Sequence, residues 1–165
     1  MRLTTRLVLI TVAFPVRGLT VQESKTECEA LLNEAMPLAE KMLREHGEFY
    51  PYGYEMTSAG VIKLTAGYTD TDRPKSAVII DLLIEGFRQD AAAKKIKATA
   101  LVYDMLVVPP GARAKSDAIA VALDHRDNYS VIVIFPYVLD HGNLTVGTPF
   151  AQKGESRIFR LTPPN

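Results

Sequence analysis

The chain has 165 residues, 47% of them hydrophobic and 23% charged, and its 19 Lys+Arg balance 19 Asp+Glu. These values fit one ordinary domain with a real core and exclude collagen-like, low-complexity, disordered and multi-pass membrane classes. A zero net charge also lacks the broad basic field that a nucleic-acid partner calls for, so none is expected.

Residues 1–18 contain Arg2 and Arg6, an apolar run over 7–16, and then Arg17-Gly18. A short basic stretch before an apolar run too short to span a bilayer has the form of a secretory signal, and no transmembrane helix is expected. Val16 and Gly18 are small enough for cleavage after Gly18, whereas Pro15 and the missing A-x-A ending speak against it. The alternatives are a first strand or a non-native N-terminal extension. Location is therefore cytoplasmic or, with cleavage, periplasmic or secreted. The segment carries three arginines and no acidic residue, so its removal would leave a net charge of −3.

A single domain is expected over 23–161. Between 23 and 46, Cys28, Leu31, Leu32, Ala35, Leu38, Ala39, Met42 and Leu43 recur at the spacing of one helical face. Ser24 and Glu27 have the form of a capping box, and Gly47 is a natural terminator. Pro37 should kink or restart this helix. Residues 49–56 and 61–68 read as a β-hairpin through a Gly-containing turn. A second helix opens near Asp72-Arg73-Pro74, with Val78, Ile80, Leu83, Ile84, Phe87 and Ala91 as its apolar stripe.

Strands are expected over 96–108, 116–125, 129–139 and 144–150, with a short fifth over 157–161. The tight interruptions suggest an antiparallel meander. Ala98, Ala100, Ala118, Ala120 and Ala122 alternate, and small side chains on one face would let both helices pack there. The other face, with Ile119, Val121, Leu123, Ile132 and Ile134, would need a cover from the N-terminal segment or the C-terminal tail, unless it is an interface. The fold class is α+β, a two-layer antiparallel sheet with two helices on one face, in the order α-β-β-α-β-β-β(-β).

No motif calls for a cofactor. Cys28 is the only cysteine, which excludes an intramolecular disulfide, and its helical core position marks it as a small hydrophobe. His46, His125 and His141 lack metal-ligand spacing, so no metal is expected. His125-Arg126-Asp127 spells a kinase catalytic-loop triplet without any of its required context. Lys115-Ser116-Asp117 places neighbouring side chains on opposite faces of a strand, which works against a Lys–Ser pair.

The most unusual composition lies between Glu48 and Glu55, where Tyr50, Tyr52 and Tyr54 alternate. Three tyrosines on one extended face, flanked by Glu48 and Glu55, could form an interaction surface, because tyrosine combines large contact area with a polar tip. Packing beneath a helix would explain the same pattern. The favoured function is a non-enzymatic protein-binding domain, of the bacterial immunity type that neutralises a partner toxin. The rival is a small enzyme whose site assembles from His125, Asp127, Lys115, Asp117 and Glu48. Sequence does not specify the partner or the oligomeric state.

The segments Leu43-Arg44-Glu45-His46-Gly47-Glu48-Phe49-Tyr50-Pro51-Tyr52-Gly53, Lys115-Ser116-Asp117-Ala118-Ile119-Ala120 and His125-Arg126-Asp127-Asn128-Tyr129 carry a resemblance. Over residues 38–152 the chain resembles a family of small uncharacterised bacterial proteins, which implies no activity or catalytic residue. The element order is similar to that of profilin-like and roadblock-type sensor and scaffold domains, which is likeness of fold alone.

Overall fold

The computed structural model describes residues 21–67, 69–70 and 73–159, so the possible signal over 1–18 lies outside the described residues. The fold is α+β, with helices α1 (Val21–His46) and α2 (Ser76–Ala92). The strands are β1 (Tyr52–Thr57), β2 (Ile62–Ala66), β3 (Ile96–Val107), β4 (Ser116–His125), β5 (Tyr129–Asp140), β6 (Asn143–Val146) and β7 (Phe150–Lys153). They form one open antiparallel sheet in the order β2-β1-β3-β4-β5-β6, with β7 also paired to β5.

α1 buries Cys28, Leu31, Ala35, Ala39 and Leu43, and ends where Gly47, at φ +77°, donates its N–H to Leu43 O. The helix runs through Pro37. The carbonyl that loses its donor belongs to Asn33, which is exposed, so water can replace the missing bond. Ser24 is not an N-cap: it lies inside the helix and is buried. α2 buries Ile79, Leu83, Ile84 and Phe87, whereas Val78, expected in its stripe, is exposed. Its cap position is Lys75, which makes no side-chain cap bond, and Asp72, the expected cap, lies outside the described residues.

The two helices lie on opposite faces of the sheet, which corrects the two-layer arrangement with both on one face. Pairing decides this. Ala98 lies opposite His125 and Ala100 opposite Leu123, so these alanines share a face with Val121 and Ile119 rather than with the alanines of β4. Directly paired residues project to the same side. The α1 core therefore joins Leu31, Ala35 and Leu43 to Ala98, Ala100, Val102, Ile119, Val121 and Leu123. On the other side α2 packs on Leu101, with Tyr103, Ala122, Ile158 and Phe159 around it. Phe87 lies so close to Gly53 that a Cβ there would fall 2.4 Å from its ring.

Lys97 breaks the alternation of β3. Met56 pairs with Ala98 and Thr57 with Ile96, which leaves Lys97 as an extra residue. Ile96 consequently packs with α2 while Ala98, two residues on, packs with α1. This β-bulge turns Lys97 toward α1.

The hairpins follow local turn chemistry. His141 and Gly142, at φ 48° and 83°, join the paired Asp140 and Asn143 in a type I′ turn. Asn128, at φ 63°, ends the three-residue loop between β4 and β5. The strand expected over 144–150 is instead split into β6 and β7. Pro136 O accepts from Gly147 N, so Pro136's missing N–H faces that same outer edge, where neither β6 nor β7 pairs. Residues 157–159 are irregular, with bends at 158 and 159, rather than the start of a fifth strand.

Candidate functional site

Asp124 and His125 are neighbours on β4, so they project to opposite faces, and each anchors a different cover. His125 has a fully buried side chain on the α1 face. The backbone N–H of Asp127 donates to His125 Nδ1 at 3.0 Å, which leaves the ring proton on Nε2. Nε2–H donates to Glu27 Oε2 of α1 at 2.9 Å. Lys97, turned inward by its bulge, donates to the other oxygen, Glu27 Oε1. Burial acts to raise the Glu27 carboxyl, but the Lys97 and His125 hydrogen bonds outweigh it and hold the group below its ordinary value. Asp127 Oδ2 is buried without a hydrogen-bond partner among the described residues. Cys28, next to Glu27, is also buried, and desolvation followed by the charges of Asp124 and Glu27 pushes its thiol up to about 12. A thiol so held is not a nucleophile. The cluster ties α1 to the end of the sheet.

Asp124 faces the α2 side. It is 6% exposed, and its Oδ2 accepts the Ile158 N–H at 2.8 Å. Burial raises its carboxyl, and the backbone amides of Ile158, Phe159 and His125 oppose the rise without cancelling it. Oδ1 has no hydrogen-bond partner among the described residues. Residues 154–159 form a strap across this face. Gly154 N donates to Ser130 O, Ser156 N to Ser130 Oγ, and Arg88 Nε of α2 to Arg157 O. Beneath the strap lies a cavity of about 100 Å³, with Asp124, Thr99, Tyr103 and Ser130 in its wall.

The residues proposed from sequence are dispersed. Tyr52 is buried, donates its hydroxyl to Ala35 O at 2.7 Å, and packs edge-on against Phe49 and Tyr54. The three tyrosines thus do not make one recognition surface, because α1 covers the middle one. Tyr50 is exposed, Tyr54 half-buried, and Glu48 exposed. Glu55 lies on the opposite face, where burial and then Asp90 raise its carboxyl. His125 and Asp127 meet, but Lys115, Asp117 and Glu48 are exposed elsewhere. Asp117 and His125 stand near opposite ends of β4, separated by about 26 Å at strand rise. The five-residue enzyme site is therefore not assembled. Ser116 donates to the carbonyls of Asp117 and Tyr137, in keeping with a role in strand pairing.

Sequence reasoning missed Glu27 as the partner of His125 and Lys97, and Asp124 altogether. The visible signal was charge within apolar strands: Lys97 and Asp124 interrupt runs that otherwise supply the core. Among the described residues, no group of three or more His, Cys, Asp or Glu could hold a metal ion, and no helix is long and apolar enough to cross a membrane.

No protein-family model, no curated protein and no solved structure matches this chain. Known proteins therefore do not bear on the resemblance to the small bacterial family or to profilin-like and roadblock-type domains.

Proposed function

We propose that the protein is a non-enzymatic binding domain that takes a protein partner along the edge of β2. The observation that carries this reading is apolar exposure on an open edge. β2 ends the sheet, and Val61 and Leu64 are 55% and 54% exposed there. Edge strands are commonly blunted by charge, proline or a cover, because their free backbone groups recruit other strands. Within β2, Lys63 is the only charged residue. Leu64 pairs with half-buried Tyr54, so the tyrosine hint survives in part as the neighbour of this edge.

Two more exposed apolar side chains lie on α2, across the sheet from Leu64, whose partner Tyr54 belongs to the α1 face. Val78 and Leu82 fall on the solvent side of α2, turned away from its buried Ile79, Leu83, Ile84 and Phe87. Both are nearly half exposed. An extended partner segment could add main-chain hydrogen bonds to β2 and bury Val61 and Leu64. A toxin, the partner of the immunity-type reading, is the first class to test.

The experiment is affinity capture from source cells with the native chain and with Leu64→Lys, followed by binding of the purified partner to each. The reading expects one partner that binds the native protein in isolation and binds Leu64→Lys at least tenfold more weakly. Equal binding by the two proteins would sink the edge assignment.

A further inference from the structure

We propose that the cavity beneath the 154–159 strap binds a compact, neutral, largely apolar molecule that carries one N–H or O–H donor, received by Asp124. This site is independent of the β2 edge, because its lining comes from α2, β3, β4, β5 and the strap and includes no residue of β2.

Three observations meet there. The first is size: about 100 Å³ is well above the space of a single water. An engineered apolar cavity of about 150 Å³ admits benzene, so a molecule of about five non-hydrogen atoms suits this one. The second is polarity. Ile84, Leu101, Ala122, Ile132 and Ile158 give the cavity apolar walls, which favour an uncharged ring or a branched chain over a hydrated ion. The third is the orphaned oxygen. Asp124 lies in the wall, and its Oδ1 has no hydrogen-bond partner among the described residues, whereas Oδ2 is committed to Ile158 N–H. A buried acceptor without a donor is costly, and a ligand donor would remove that cost. This selects a donor rather than an acceptor on the ligand.

The strap couples ligand and fold. It is tied to Ser130 twice and to Asp124 and Arg88 once each, and Ser156 holds a left-handed backbone at φ 48°. One wall of the cavity is thus a segment anchored through hydrogen bonds rather than a strand of the ladder. Binding at Asp124 would be felt first at the Ile158 amide.

Pyrrole and furan make the test, since they share ring size and differ in the N–H donor. Amide NMR titration of the full chain follows the Ser130 and Ile158 resonances. The expected result is saturable shifts at both amides, with furan binding at least tenfold more weakly than pyrrole. Asp124→Asn can keep the acceptor for Ile158 N–H while placing an NH₂ where Oδ1 was, and it should erase the preference for pyrrole. Ala122→Leu, which fills the cavity from its floor, should abolish binding of both probes in a chain whose unperturbed spectrum shows it folded. No saturable shift with either probe, or equal affinity for the two, overturns the proposal. Shifts centred away from the strap would do the same.

Discussion

Replacing Glu27 with Gln tests whether the buried polar cluster holds α1 to the sheet. Glu27 receives two hydrogen bonds, from Lys97 and from His125 Nε2, whose side chains are 12% and 0% exposed. In Glu27→Gln the amide oxygen can accept one of them, and the NH₂ then confronts the other donor. A hydrogen bond to a charged group contributes about 1.5–3 kcal/mol, and breaking a fully buried ion pair costs about 3–5 kcal/mol. Glu27 retains 24% exposure, so water relieves part of the loss. The expected destabilisation at pH 7 is about 2–3 kcal/mol, which lowers Tm by roughly 4–12 °C in a domain of this size.

Urea unfolding followed by circular dichroism should show a lower midpoint at an unchanged slope. The pH dependence gives a second reading of the same cause. Because the folded state holds the Glu27 carboxyl below its ordinary 4.5, its contribution is complete above that value and is lost as pH falls through the folded value. The gap between native protein and Glu27→Gln should therefore close on acidification. A double-mutant cycle with Lys97→Met should return a coupling above about 0.5 kcal/mol. A gap below about 0.5 kcal/mol at pH 7, or one that persists unchanged at pH 3, would refute the reasoning.

Asp124→Asn should act in the opposite direction: burial raises the native carboxyl, so wild-type stability falls as pH rises from 3.8 through the folded value. The variant should be as stable as the native chain or more so at pH 7, with the difference shrinking below pH 3.8, as read by paired denaturation curves. Gly53→Ala places a Cβ 2.4 Å from Phe87 Cζ, and overpacking of this kind costs about 1–3 kcal/mol; pairing it with Phe87→Leu should restore part of the loss in thermal melts. The Cys28 thiol, buried and raised to about 12, should resist a thiol-specific disulfide reagent at pH 8 and react promptly in denaturing urea. Fast labelling of the native protein would contradict its burial.

Much of the fold was legible in local sequence, because its causes act over a few residues. The spacing of Cys28, Leu31, Ala35 and Leu43 defined one helix face, and Gly47 ended it as a left-handed terminator. His141-Gly142 set a two-residue turn. The α+β class and its order followed from such signals. What the sequence left open was which face each strand shows to which helix. Strand alternation is identical in either register, and a shift of one residue exchanges the faces. The pairing of Ala100 with Leu123, together with the bulge at Lys97, separated the alanines of β3 from those of β4 and sent α1 and α2 to opposite sides. The candidate sites were less legible still. Glu27 and His125 meet across 98 residues of chain. Asp124 acquires meaning only because residues 154–159 return to cover it. Composition and periodicity determined a well-packed α+β domain; only tertiary pairing decided which polar groups are sealed, which cavity is left, and which edge stays open.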